Sequence, residues 1–249
     1  MKVTAALFSL LCGSAVAFAP SSESSAKTSS LNAGTDDLRE LAKKCNPVVQ
    51  FYDPIGLSNQ RFWGSTSDQT IGFLREAEVK HGRIAMFAFV GYIVHANGIT
   101  WPWPMQLDGT PFPKTNNAPE AWDAISDEAK LQIFLFIGFL EYYREVAGDK
   151  HYMRGGKPGD FPKFDPKVIP GGALNLYDPF NFANKRTEEE KEQGLIKELN
   201  NGRLAMLGIF GFISEGKIEG SVPVLKGIIP PYTGEIMAPL TKSILPFHL

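Results

Sequence analysis

Three stretches of the chain combine apolar runs with polar flanks, and each has the length of a long helix. They lie at about 73–97, 127–146 and 188–217. The uninterrupted apolar runs inside them are shorter than the ~18 residues typical of a membrane-crossing helix. Hydropathy alone is therefore also compatible with a soluble protein in which these helices form a buried bundle. Total length favours the membrane, because a span needs ~20 residues and the first and third segments exceed that.

The first and third segments contain two copies of one motif, offset by 120 residues. "EVKHGRIAMFAFVG" occupies 78–91 and "ELNNGRLAMLGIFG" occupies 198–211. Each copy carries a glutamate, a polar residue three positions later and an arginine five positions later. These residues are Glu78, His81 and Arg83 in the first copy, and Glu198, Asn201 and Arg203 in the second. Ionisable groups within an apolar helix need partners, so the motif predicts a functional or structural site.

Helical geometry suggests how the charges are satisfied. If the two copies pack about a two-fold axis, Glu78 can reach Arg203, and Glu198 can reach Arg83. Reciprocal pairing avoids a cost of ~3 kcal/mol or more for each unpaired charge at the centre of a bilayer. One interpretation is a polar network that only locks the two helices together. The other is a site in which the paired glutamates also bind a ligand.

The repeat also predicts the topology. Gly82 and Gly202 offer small surfaces at which the paired helices can approach closely. Both copies run in the same direction through a membrane only if an odd number of spans separates them, and the segment at 127–146 supplies one. The predicted fold is therefore an all-α membrane protein with three transmembrane helices. The first and third form a crossed pair related by a pseudo-two-fold axis, and the middle helix is shorter.

The N-terminus has the composition of a targeting leader. Residues 1–17 combine Lys2, an apolar run and a small-residue cleavage site, which predicts a signal peptide, and the Ser/Ala-rich stretch at 18–33 predicts a transit peptide. The membrane domain is then 34–249. Removing Lys2 changes the formal charge from −2 to −3, so no nucleic-acid partner is indicated. Cys45 is left alone, which excludes an intrachain disulfide and supports neither a cysteine metal site nor a thiol nucleophile.

The loop charges differ on the two sides of the middle segment. The connection at 144–167 is basic, whereas the loop at 98–125 has only Lys114. The basic residues are Arg144, Lys150, Arg154, Lys157, Lys163 and Lys167. By the positive-inside rule this connection faces the cytoplasm-equivalent side. Trp101, Trp103 and Trp122 then lie near the opposite interface as an aromatic belt, or they belong to a Trp/Pro-rich surface loop.

A second repeat precedes each paired helix. Tyr-Asp-Pro occurs with its aspartate at Asp53 and again at Asp178. An Asp-Pro pair favours a turn, because proline biases the preceding residue away from the helix and aspartate can bond its own backbone. Thr187 followed by Glu190 predicts a capping box at the start of the third helix.

The motifs "EVKHGRIAM" and "ELNNGRLAM", the paired Asp-Pro turns and the "FLEYYR" of the middle segment resemble the light-harvesting chlorophyll-binding superfamily over about 50–220. "KHGRIAM", "FIGFLE" and the leader are most similar to fucoxanthin chlorophyll a/c-binding proteins of red-lineage, diatom-like algae. The resemblance implies an antenna that binds chlorophyll a, chlorophyll c and fucoxanthin or related carotenoids. It implies a plastid thylakoid location, with the N-terminus stromal and the C-terminus lumenal. It also implies other antenna subunits and a photosystem I or II core as partners.

The resemblance also implies roles for individual residues. The expected axial ligands of chlorophyll magnesium are Glu78, His81, Glu198 and Asn201, with Arg83 and Arg203 as ion-pair partners. Further candidate pigment ligands are His95, Glu215, Glu141 and Gln132. Glu215 departs from the family pattern, which often has glutamine at the matching place in the last helix. The Asp53 and Asp178 turns are expected to position carotenoid head groups.

The sequence is also compatible with other functions. A photoprotective quencher of the same superfamily would use acidic residues on the lumenal side. A small membrane ion carrier would use the Glu, Arg and His of the repeat, but three spans without a wide polar stripe argue against a transport path. The sequence supports no enzyme, since no nucleophile, phosphate-binding loop or second histidine ligand accompanies the repeat.

Overall fold

The computed structural model describes residues 34–147, 150–164, 182, 185–236 and 238–240. Within these ranges the regular elements are helical and no strand occurs, which confirms the all-helical prediction. The α-helices are α1 Thr35–Cys45, α2 Ser67–Ala96, α3 Ala118–Asp123, α4 Asp127–Val146 and α5 Glu188–Lys217. Short 3₁₀ helices lie at Leu57–Asn59, Phe62–Gly64, Tyr152–Arg154 and Pro223–Leu225.

The three long helices occupy the three predicted segments. Helices α4 and α5 have the predicted bounds, whereas α2 begins earlier than residue 73 and ends at Ala96. The short helices α1 and α3 were not predicted. No helix in the described part of the chain has both the length and the sustained hydropathy that mark a membrane-crossing segment. The leader and the second Asp-Pro turn, with Asp178, lie outside the described residues.

Capping boxes begin both paired helices. At the start of α2 the Thr66 amide donates to Gln69 Oε1 at 2.9 Å, and the Gln69 amide donates to Thr66 Oγ1 at 3.3 Å. At the start of α5 the Thr187 amide donates to Glu190 Oε2 at 2.9 Å, and the Glu190 amide donates to Thr187 Oγ1 at 3.3 Å. Each box satisfies amides that have no partner inside the helix. The predicted box at Thr187 is confirmed.

A glycine ends α2. Gly98 has φ +70°, a conformation that side chains other than glycine's rarely adopt. Its amide donates to the His95 carbonyl at 2.8 Å, and the Ile99 amide donates to the Val94 carbonyl at 3.3 Å. This pair of bonds is a Schellman motif, which satisfies the last carbonyls of the helix and turns the chain into the loop that follows.

The described residues form two compact units, and α2, α4 and α5 contribute residues to both. The first unit consists of residues up to 84 together with 143–203. Its apolar core contains Leu41 from α1, Val79 from α2 and Leu199 from α5. In this unit α2 and α5 cross at a pair of glycines. A Cβ atom added to Gly202 would lie only 2.9 Å from Gly82 Cα, so the two backbones are in direct contact.

The second unit consists of 85–142 and the residues from 204 onward. Phe89 and Phe212 stack with ring centroids 5.0 Å apart, and Tyr92 packs against Phe212 at the same distance. The segment after α5 is fastened by Tyr232, whose amide donates to the Gly216 carbonyl at 2.7 Å and whose hydroxyl donates to Asp123 Oδ2 at 2.6 Å. Burial, assisted by the Asp123 carboxylate, raises the pKa of Tyr232 to about 12.

Candidate functional site

Two reciprocal ion pairs join α2 and α5 in the first unit. Arg83 Nε donates to Glu198 Oε1 at 2.5 Å, and Arg203 Nε donates to Glu78 Oε1 at 2.7 Å. This is the cross-pairing that the repeat predicted, and it is confirmed. In each motif the glycine of this contact lies between the glutamate and the arginine, directly before the arginine. The close approach of the backbones therefore brings each glutamate within reach of the opposite arginine.

One of the two pairs has additional support. Arg83 Nη1 also donates to the Gly159 carbonyl at 2.5 Å, and the Gly159 amide donates to Glu76 Oε2 at 2.6 Å. Glu76 Oε2 lies 3.6 Å from Arg144 Nη2, and both of these side chains are only 5% exposed. This network connects α2, Gly159 of the basic connection and the end of α4. The spacing of the repeat did not predict this network. The signal was a charged side chain, Glu76, within the helix just before the repeat.

The His81 ring is held in one tautomer. Its Nδ1 lies 2.7 Å from the Ala77 carbonyl oxygen, one turn earlier in α2. Because a carbonyl only accepts, Nδ1 carries the proton, and Nε2 is left with a free lone pair. The residue is exposed on the helix surface. A histidine ring held by a hydrogen bond from one nitrogen to a backbone carbonyl is a usual arrangement for a metal ligand, which binds through the other nitrogen.

The remaining motif residues also keep acceptor atoms available. Oε2 of Glu78 and of Glu198 accepts no hydrogen bond from the residues that the structure describes, because the arginines contact Oε1. These side chains are 28% and 21% exposed. The Asn201 amide likewise makes no hydrogen bond to a described residue and is half-buried. Each copy of the motif thus places two acceptors on one helix.

His95 and Glu215 lie beyond the ends of the two motif copies, again 120 residues apart, and they differ in their surroundings. His95 Nε2 is buried and has no hydrogen-bond partner among the described residues. Glu215, only 2% exposed, accepts from the amides of Gly220 and Val222 at 2.8 Å each. Its carboxylate therefore closes the loop after α5. Of the candidates on the middle helix, Gln132 and Glu141 both lie exposed on α4.

The loop-closing role of Glu215 leads to a prediction. Glu215→Gln is expected to lower the free energy of unfolding by about 1–3 kcal/mol, because one of two acceptor oxygens of this buried side chain becomes an NH₂ facing an amide donor. Thermal unfolding of the pigmented protein measures this change. Glu219→Gln, on the exposed loop nearby, is the matched control and should leave the unfolding temperature unchanged. Equal unfolding temperatures for both variants would contradict the role assigned to Glu215.

Asp53 closes its own turn. Oδ1 accepts from the Leu57 amide, and Oδ2 accepts from the amide and the hydroxyl of Ser58 at 2.9 and 2.6 Å. The Ser58 hydroxyl, with the backbone amides, lowers the pKa of the Asp53 carboxyl below its ordinary value. The neighbouring Tyr52 and Ile55 side chains are largely exposed. Any contact with a head group at this turn would therefore be made by a rigid, charged loop.

The nitrogen and oxygen atoms that the motif leaves available suit a metal ion whose other ligands are already supplied. Among the described residues no three His, Cys, Asp or Glu side chains converge on one point, so a bare metal ion has no complete site there. A tetrapyrrole magnesium already has four nitrogen ligands and needs one axial oxygen or nitrogen. The Nε2 atom of His81 and the second oxygens of the paired glutamates meet that need without bringing net charge.

Comparison with known proteins places this geometry in a family. A family model, described as chlorophyll A-B binding protein, matches residues 37–217, which is well over half of the chain and includes both copies of the motif. The chain belongs to the chlorophyll A-B binding protein family. The resemblance inferred from the repeat is thereby confirmed.

The curated relatives of this chain include several fucoxanthin-chlorophyll a-c binding proteins. The fucoxanthin-chlorophyll a-c binding protein of Trieres chinensis is 35% identical over 229 residues, covering 88% of this chain and 97% of the relative. Protein F of the same name from Phaeodactylum tricornutum is 35% identical over 217 residues, covering 87% and 97%. Protein D of Macrocystis pyrifera is 31% identical over 191 residues, covering 76% and 93%. All three are described as chloroplastic.

Proposed function

We propose that this chain is a light-harvesting antenna protein that binds chlorophyll a, chlorophyll c and fucoxanthin or a related carotenoid. Membership of the chlorophyll A-B binding family and the pigments in its relatives' names support this function. They favour an antenna over the quencher and the ion carrier, and they give no support to an enzyme. The observation that carries the proposal is the pair of reciprocal Glu–Arg contacts, which holds ligand oxygens on the helices without net charge.

Each member of the motif has a defined task in this proposal. Glu78 and Glu198 each offer one carboxylate oxygen to a chlorophyll magnesium, while the opposite arginine neutralises the other oxygen. His81 offers Nε2, because its Nδ1 proton is engaged by the Ala77 carbonyl. Asn201 offers a neutral amide oxygen. When bound, chlorophyll supplies light absorption and transfer of excitation, and the protein supplies fixed positions for the rings.

The long helices present apolar side chains that need a partner other than water. Leu204, Leu207 and Phe210 on α5 are each about 70% exposed, and Leu135 and Phe136 on α4 are at least 60% exposed. Exposed apolar surface on this scale marks contact with lipid, ligand or protein. The 20 residues of α4 extend about 30 Å, the thickness of a bilayer's hydrocarbon core. We therefore propose that α2, α4 and α5 cross the membrane, with the repeat charges paired inside it.

The proposed function includes a location, an orientation in the membrane, partners and further pigment contacts. The family supports the thylakoid membrane, and the basic connection after α4 supports a stromal N-terminus and a lumenal C-terminus. Excitation passes to a photosystem I or II core, directly or through other antenna subunits. The Asp53 and Asp178 turns position carotenoid head groups. His95, Glu141, Gln132 and Glu215 stay candidate pigment ligands, and Glu215 has the weakest claim because its carboxylate already accepts two amides.

The axial ligands can be tested by removing them without changing charge. His81→Leu and Asn201→Leu are each expected to assemble and to lack about one chlorophyll per protein, because the ion pairs are untouched. Pigment extraction after reconstitution with chlorophylls and carotenoid measures the stoichiometry. Asn200→Leu is the matched control, since its amide donates to the Cys45 carbonyl and should not matter for pigment number. Full pigmentation of both ligand variants would leave the motif with a helix-locking role only.

A further inference from the structure

The loop between α2 and α3 contains a cavity that the proposed ligand set does not use. It is a half-open pocket of about 360 Å³ within the second unit. Two segments of the loop line it, 100–104 and 109–114, and the lining includes Trp101, Trp103 and Phe112. The volume is at the lower end of the range for small-molecule sites, so the cavity holds an edge of a large pigment rather than the whole ring system.

Prolines and backbone hydrogen bonds restrict the loop that forms the cavity. Pro102, Pro104 and Pro111 line it, and each fixes its own backbone φ. The two lining segments are fastened to each other at their far end, where the Met105 amide donates to the Thr110 carbonyl at 2.8 Å. The turn at 106–109 closes through a bond from the Gly109 amide to the Gln106 carbonyl at 3.2 Å. A preformed site avoids the entropic cost of ordering a loop on binding.

The walls are flat and aromatic. The indole rings of Trp101 and Trp103 stack with centroids 4.6 Å apart and planes 19° from parallel. The two side chains are nevertheless 63% and 56% exposed, so the stack covers little of their combined surface. Aromatic faces of this kind favour a planar aromatic ligand in an offset stack.

The charge at the cavity is positive. Lys114 lines it and is the sole basic residue in 98–117. The sole acid in that range, Asp108, is not part of the lining, and its carboxylate accepts the Thr110 amide at 2.9 Å. A ligand that matches the site is therefore flat, aromatic and anionic at the edge that enters.

We propose that this cavity binds the carboxylate-bearing edge of chlorophyll c. In chlorophyll c the acid side chain is free and conjugated with the macrocycle, so that edge is both flat and negatively charged. In chlorophyll a the corresponding acid is esterified with a long alcohol, which removes the charge and adds a flexible tail. The end ring of a carotenoid is puckered and neutral. This inference rests on the proposed function. It adds a site for one further chlorophyll c molecule to the pigments that the proposed antenna binds through its axial ligands.

The test uses the full chain reconstituted with chlorophyll a, chlorophyll c and fucoxanthin. Lys114→Met is expected to lose about one chlorophyll c per protein while chlorophyll a and fucoxanthin are unchanged. Lys43→Met, an exposed lysine on α1, is the matched control and should keep the normal ratio. Trp101→Leu is expected to lose the same chlorophyll c. Reconstitution of the unaltered chain with the methyl ester of chlorophyll c should reproduce the Lys114→Met result.

Each other outcome overturns the inference. Unchanged chlorophyll c in Lys114→Met, or normal binding of the methyl ester, would show that no anion is recognised. Loss of fucoxanthin rather than chlorophyll c in Trp101→Leu would assign the cavity to a carotenoid. A failure of the proposed function is distinguishable from these results, because then the unaltered chain would bind no chlorophyll a.

Discussion

Arg83→Leu and Arg203→Leu are each expected to prevent assembly of pigmented protein. Either change leaves a glutamate in the helix pair without its partner, and an unpaired charge at the centre of a bilayer costs ~3 kcal/mol or more. The loss should be more complete for Arg83→Leu. Arg83 is the better covered arginine, with 33% of its side chain exposed against 44% for Arg203, and it also holds the Gly159 carbonyl. The yield of pigmented protein after reconstitution measures both effects.

Two further variants separate a lost pair from a general loss of charge. Arg154→Leu removes an exposed arginine from the basic connection and should assemble normally. The double exchange Glu78→Arg with Arg203→Glu restores an ion pair in the opposite sense. It should recover part of the assembly that Arg203→Leu loses, although the glutamate then lies on the other helix. Stable, fully pigmented Arg83→Leu protein would be incompatible with the paired-charge account.

Gly202→Val is expected to separate the crossed helices. Even a Cβ atom at this position would lie 2.9 Å from Gly82 Cα, which is backbone and cannot turn aside. Overpacking of this kind costs about 1–3 kcal/mol, and here it also moves both ion pairs beyond reach. We expect little assembled protein, with Gly82→Val behaving alike because its added Cβ would lie 3.1 Å from Gly202 Cα.

Another glycine on the same helix is the control. A Cβ atom at Gly194 would meet nothing within 4 Å, so Gly194→Ala should assemble normally and gain about 0.5–1 kcal/mol in free energy of unfolding from better helix propensity. The yield of assembled protein after reconstitution compares the two variants, and thermal unfolding compares the protein that assembles. Equal stability of Gly202→Val and Gly194→Ala would show that the crossing is not a close contact.

The paired core could be predicted because the motif that forms it occurs twice in the sequence. When a glutamate and an arginine recur at the same spacing in two apolar segments, reciprocal pairing leaves no charge without a partner. The structure contains these pairs as Arg83–Glu198 and Arg203–Glu78. The capping box at Thr187 was also predictable, since such boxes depend on residues three apart.

Other contacts could not be predicted from the spacing of residues in the sequence. Glu76 pairs with Arg144, a residue from a different helix, and neither belongs to the repeat, so nothing local connects them. Glu215 has the sequence offset of a ligand, yet its carboxylate bonds to amides of a loop whose path depends on the fold. The short helix α1 did carry a local signal that was missed, with acidic residues in its first turn and basic residues in its last.

The fluorescence excitation spectrum of the reconstituted protein tests the central claim most directly. Chlorophyll a emission is recorded while the excitation wavelength is scanned across the bands of chlorophyll c and fucoxanthin. If this chain is an antenna, light absorbed by the accessory pigments should appear as chlorophyll a emission with high efficiency, and His81→Leu should reduce that emission. Accessory bands that are present in absorption but missing from the excitation spectrum would contradict the account.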